Sequence, residues 1–189
     1  MAFIALQEMF DLVVMIAAIG FIFSGFIRRP MARDYDPLKH FSKNEQLENF
    51  KTAVIVAAPA IVLHELSHKI AALSFGAPAT FHAAYTWLAI GVILRMLNSG
   101  FIFFIPGYVS YAASLPPLSH AVVSFAGPGM NLLLFVLATV AIRQGWFKKQ
   151  AALLHMTKQI NLLLFIFNMI PLPPFDGASV FGNLYKAFL

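Results

Sequence analysis

Hydrophobic and polar positions alternate along this chain in long blocks rather than at strand or surface-helix periods. Residues 9–27 are almost wholly apolar, with Asp11 near the start placed at the interface, and Arg28-Arg29-Pro30 closes the run. That length matches the roughly 20 residues a helix needs to cross a bilayer. Residues 28–51 form a polar connector of mixed charge, partly helical and interfacial. Residues 52–75 make a second span, broken by Gly76-Ala77-Pro78. Residues 84–106 are apolar but interrupted by Arg95, Asn98, Ser99 and Gly100. Two readings stand there, a full crossing and a re-entrant hairpin. The hairpin is favoured, because irregular backbone at membrane depth is tolerated where protein or a wet cavity surrounds it. Phe101 to Ile105 reads as a strand. Residues 120–142 form a third span opened by Pro116-Pro117, and residues 151–189 a last helix broken by Pro171, Pro173 and Pro174.

The expected fold is therefore an all-α polytopic membrane protein, a single membrane-embedded domain over residues 1–189. It has about four transmembrane helices, and a re-entrant element with possible short β lies between the second and third. Composition agrees. The chain is 60% hydrophobic and 11% charged, against about 25% charged in a soluble domain. Twenty Phe and eight Met suit lipid-facing and helix-packing surfaces. The net charge of +5 sits mainly in connectors, which fits anionic headgroups rather than nucleic acid. With no Cys there is no disulfide, thiolate ligand or cysteine nucleophile. The first apolar run lacks a basic segment before it and a clear cleavage site, and reads as a retained span.

The chemistry concentrates in two places. His64-Glu65-Leu66-Ser67-His68 lies inside the second span. Histidines four apart on a helix share a face and can hold one Zn²⁺, with Glu65 beside them as a base toward water. Ionisable residues are costly in a bilayer and mark function there. The second place is 168–177, where three prolines in four positions prevent an ordinary helix and Asp176 stands in a largely uncharged region. A cation held by two histidines would satisfy it. Two His and one carboxylate leave a fourth position open, the catalytic pattern. Blander readings exist for each: a hydrogen-bonded His pair, an N-capping Asp176, and close packing at Gly127-Pro128-Gly129 with Asn131 as an interhelical donor.

The helix-borne H-E-L-S-H and the downstream N-x-x-P-x-P-P-x-D-G resemble the two signature motifs of site-2 proteases, the intramembrane zinc metalloproteases. Gly127-Pro128-Gly129-Met130-Asn131 resembles the family's G-P-x-x-N element, and order and spacing match across about 60% of the chain. The resemblance is closest to compact prokaryotic and archaeal members without a PDZ or regulatory domain. It implies zinc ligation, one ion per chain, by His64, His68 and Asp176, and general acid–base work by Glu65. It implies substrate positioning or oxyanion stabilisation by Asn131 and Asn168, and an extended substrate paired along the edge of residues 84–106. The expected reaction is peptide hydrolysis in or near a transmembrane segment of a membrane-tethered protein, in the cell membrane of a prokaryote. The alternative is a membrane protein keeping zinc for structure or binding, with a metal transporter as a weaker third. Intact Glu65 favours the protease, since a binding site needs no base. Orientation stays open, because the positive-inside rule and the family's usual arrangement point opposite ways.

Overall fold

The computed structural model describes residues 4–26, 43–99, 105–112 and 114–189. It is mostly helical, with one small two-stranded sheet. The elements run α1 (Leu6–Ser24), α2 (Lys43–Ser74), β1 (Ala79–Ala83), α3 (Tyr85–Met96), β2 (Gly107–Tyr111), α4 (Pro117–Arg143), α5 (Ala151–Asn168) and α6 (Asp176–Phe188). Among the described residues three helices are long and apolar enough to cross a membrane: α1, α2 from Glu45 onward, and α4. The fourth expected span is not among them. The middle of α5 carries His155, Thr157, Lys158, Gln159 and Asn161, which dilute its apolar stretch.

The chain divides into two compact units, residues 1–59 with 83–107, and residues 60–82 with 108–189. In the first, α1 packs on α3. Helix α1 turns Glu8, Asp11, Met15, Ile19 and Ile22 inward while Leu6, Met9, Phe10 and Val13 face out. Apolar residues outside and carboxylates inside is the reverse of a soluble helix, and it is what a hydrocarbon solvent selects. Asp11, expected at the interface, is 2% exposed. Its carboxylate accepts from the Ala83 N–H at 3.0 Å, the Tyr85 hydroxyl at 2.6 Å and the Gln7 amide at 2.9 Å. The buried charge is satisfied by three donors, two of them more than 70 residues away in sequence. These bonds fix the start of α3 to α1.

Helix α3 has 12 residues, about 18 Å of rise, too short to cross alone. The two ends of this region meet: the Ala84 N–H donates to the Pro106 carbonyl at 3.2 Å, and β1 pairs with β2. The observed strands therefore flank the apolar stretch. The strand expected at 101–105 falls almost entirely on residues 100–104, outside the described residues.

In the second unit α4 packs against both α5 and α6. Proline at its first position supplies a fixed φ and lacks only an N–H that would be unpaired there. The end is equally defined. Gly145 takes φ +68°, the Gly145 N–H returns to Ile142 O at 3.1 Å and the Trp146 N–H to Ala141 O at 2.9 Å. This is a Schellman closure, and a side chain at the left-handed position would strain it. Helix α2 ends the same way, with Gly76 at φ +75° and the Ala77 N–H on Ala72 O at 3.0 Å. Between α5 and α6 the prolines interrupt the helix over residues 169–175, with a cis bond at Pro173–Pro174.

Candidate metal centre

Every side chain of the site lies in the second unit. Helix α2 presents His64, Glu65 and His68, all buried at 6–7% exposure. Asp176 is the first residue of α6, and its carboxylate retains partial exposure. His64 Nε2 lies 3.1 Å from Asp176 Oδ2, His68 Nε2 lies 3.3 Å from the same oxygen, and the two Nε2 atoms are 3.1 Å apart. Zinc–ligand bonds of about 2.0–2.2 Å at tetrahedral angles place ligand atoms about 3.3–3.5 Å apart. The observed triangle is close to one face of such a tetrahedron, so these three residues fit a metal ion. Two motifs separated by more than 100 residues thus meet at one point.

The outer nitrogens explain which ring atoms face inward. His64 Nδ1 lies 2.7 Å from Asn131 Oδ1, and His68 Nδ1 lies 2.7 Å from the Val123 carbonyl. Both partners are acceptors, so each ring keeps its proton on Nδ1 and turns an Nε2 lone pair to the ligand triangle. Gly127 permits this approach. Val123 and Gly127 lie one turn apart on the same face of α4. A Cβ at Gly127 would stand 2.7 Å from His64 Nε2 and closer still to His68 Nε2. Only a residue without a side chain leaves room there for two imidazoles and an ion.

Helix α6 is held in register by its own contacts. Ser124 on α4 bonds Ser179 through the two hydroxyls at 2.7 Å, and the Asn183 amide donates to Ser179 O at 2.8 Å. Ser179 follows Asp176 by three residues and shares its face. Gly177 lets α6 close onto the helix break, since a Cβ there would meet the Met169 carbonyl at 2.5 Å and Ile170 O at 2.6 Å. The sequence motif N-x-x-P-x-P-P-x-D-G is in structural terms a tight fold-back that brings Asp176 to the histidines.

The two asparagines take different positions. Asn131 was read as a substrate or oxyanion contact, but it is fully buried at 0% exposure. Its oxygen meets His64, and its amide donates to Ala60 O and to Asn161 Oδ1, both at 3.0 Å. All three bonds are internal to the protein, and one of them holds the His64 ring. Asn168, the last residue of α5, is half-buried and its side chain makes no hydrogen bond among the described residues. Asn161 escaped the sequence reading altogether; it too is fully buried. It stands among His155, Thr157, Lys158 and Gln159 in the polar middle of α5, so nothing in the sequence set it apart. His82 and His120 lie apart from the centre, with His82 on Ser110 at 3.0 Å and His120 near Tyr111 at 3.3 Å.

Fold and site together define a helical membrane protein with a His₂-carboxylate group able to hold a metal. Comparison with known proteins specifies it further. The chain is 31% identical to a Methanocaldococcus jannaschii protein named "Putative zinc metalloprotease MJ0611", over 92% of this chain and 83% of that one. It is 28% identical to the Bacillus subtilis protein named "Putative zinc metalloprotease YwhC", over 69% and 68%. No family model matches the chain, and no solved structure matches it significantly. The chain belongs to the zinc metalloprotease family that these names describe.

Proposed function

We propose that the protein is a zinc-dependent intramembrane endopeptidase of the site-2 type, cutting a peptide bond in or near a transmembrane segment of a membrane-tethered substrate. One observation carries the reading. His64 and His68, on an apolar helix long enough to span, meet Asp176 of α6 within 3.3 Å, with Glu65 intact beside them. Zinc, when bound by these three, supplies Lewis-acid activation of water and of the scissile carbonyl. Glu65 then does the proton work. Its buried carboxylate has no hydrogen-bond donor among the described residues and feels both imidazoles and Asp176. It takes a proton from the attacking water and returns it to the leaving amine. His64 and His68 stay ligands, their rings held by Asn131 and Val123.

Asn168, unpaired beside the helix break, is the group we assign to the substrate backbone or oxyanion. The joined ends of residues 84–106 support a re-entrant element, along whose edge an extended substrate would pair. The substrate is a protein helix that must unwind locally, because its own hydrogen bonds shield a helical peptide bond. The setting is the cell membrane of a prokaryote, with lipid as the surrounding solvent.

The test uses Glu65→Gln in detergent-purified and reconstituted protein, with single-span model peptides carrying helix-breaking residues as probes. Zinc content should stay at one per chain, while cleavage falls by about 100 to 10,000-fold. Undiminished cleavage would refute the assignment. Absence of cleavage by wild-type protein with one zinc bound, across substrates of varied sequence, would favour a binding protein instead.

A further inference from the structure

The metal centre reading leaves the buried Asn161 without a task. Asn161 sits on α5 at 0% exposure and touches no metal ligand. Its partners form a directional series. Its amide nitrogen donates to Thr157 O at 2.8 Å, one turn earlier on α5. Its oxygen accepts from the Asn131 amide at 3.0 Å. Asn131 donates its second hydrogen to Ala60 O at 3.0 Å and accepts from His64 through Oδ1 at 2.7 Å.

An asparagine amide has two near-isosteric orientations, and only its surroundings choose between them. Thr157 O and Ala60 O are carbonyls and can only accept. Thr157 O therefore forces the nitrogen of Asn161 toward itself and its oxygen toward Asn131. Ala60 O and Asn161 Oδ1 together demand both hydrogens of Asn131, which leaves Oδ1 to face His64. The proton of His64 must then sit on Nδ1, and Nε2 keeps its lone pair for a ligand role. A reversed Asn131 would offer an N–H to Nδ1, move the proton to Nε2 and abolish ligation by that ring.

We propose that Asn161 is a positioning residue that sets the tautomer of His64 from two residues away. Backbone carbonyl Thr157 writes the direction, Asn161 and Asn131 pass it on, and His64 Nε2 receives it. His68 needs no such series, since its Nδ1 meets the Val123 carbonyl directly. The proposal rests on the metal centre described above; without a metal Asp176 Oδ2 also faces His64 Nε2, at 3.1 Å, so the relay is read at Nδ1, where Asn131 acts.

The experiment compares wild type, Asn161→Leu and Asn161→Asp. Leucine matches the volume and cannot accept from Asn131, whereas aspartate keeps an acceptor there in the same shape. Selective ¹⁵N labelling of histidine, with and without zinc, reports whether His64 Nδ1 carries a proton. Competition with a chelator reports zinc affinity. Asn161→Leu should show mixed His64 tautomers and about tenfold weaker zinc, within the range for residues behind a metal ligand. Asn161→Asp should restore both. Leu164→Ala, a truncation on the same helix, should lower stability without moving the His64 signals. Unchanged tautomer and unchanged affinity in Asn161→Leu would overturn the proposal, as would a tautomer shift in Leu164→Ala of equal size. If wild type takes up no zinc, the metal centre reading fails, and the ¹⁵N comparison still decides the relay.

Discussion

Gly127→Ala asks whether the notch above the histidines is what admits a metal. The added Cβ would lie 2.7 Å from His64 Nε2 and nearer to His68 Nε2, where ordinary contact begins at 3.4 Å. The His64 ring must then retreat by about 0.7 Å, and His68 by more. Both rings are tied on their far nitrogens to α4 itself, at 2.7 Å to Asn131 and to Val123. Retreat from α4 stretches those bonds beyond the useful range of about 3.2 Å. Each buried bond lost costs about 1–3 kcal/mol. Two together correspond to roughly 100-fold or more in zinc affinity, in line with about 10 to 100-fold per supporting partner. Helix content should survive, because alanine is favoured over glycine in a helix by about 1 kcal/mol. Gly129→Ala is the matched control: its Cβ meets only Phe125 Cε1, at 3.2 Å. The assay is zinc content and chelator competition on purified protein, with circular dichroism for helix content. Wild-type affinity in Gly127→Ala would refute the packing argument.

Two further substitutions probe other parts of the structure. Gly177→Ala drives a Cβ into the Met169 carbonyl at 2.5 Å, and backbone cannot yield as a side chain can. It should displace Asp176 and lower both zinc content and cleavage, with about 100-fold in rate for a shift near 1 Å. Full activity there would mean the fold-back does not position Asp176. Asp11→Ala removes the acceptor shared by Ala83, Tyr85 and Gln7. A bond to a charged group contributes about 1.5–3 kcal/mol, so the melting temperature should fall by roughly 5–10 °C. An unchanged transition would show that Asp11 does not hold α3 to α1.

The His pair was legible because helical spacing alone puts residues four apart on one face, and no distant information is needed. Asp176 was legible only through its odd setting and the family resemblance, since nothing in local pattern links it to residues over 100 positions earlier. The partners of Asp11 were hidden for the same reason. Near the end of an apolar run a carboxylate looks interfacial, and its donors at Ala83 and Tyr85 come from another element. Asn161 carries no spacing signal, because its meaning depends on an amide orientation that only the packed helices define. Three of the expected spans stand out among the described residues, and the fourth does not, because the polar middle of α5 lowers its hydropathy.

Three helices finish on a left-handed residue: α2 at Gly76, α3 at Asn98 and α4 at Gly145. Ordinarily the last carbonyls of a helix look to water for their partners. In these three, returning N–H groups occupy two of them each: Ala72 and Leu73, Leu94 and Arg95, Ala141 and Ile142. Such ends carry part of their own solvation. Backbone thirst then has less say in how deep each lies, and side chains have more. At the end of α4 those are Trp146, Phe147 and Lys148, an aromatic pair and a cation suited to the boundary between hydrocarbon and headgroups.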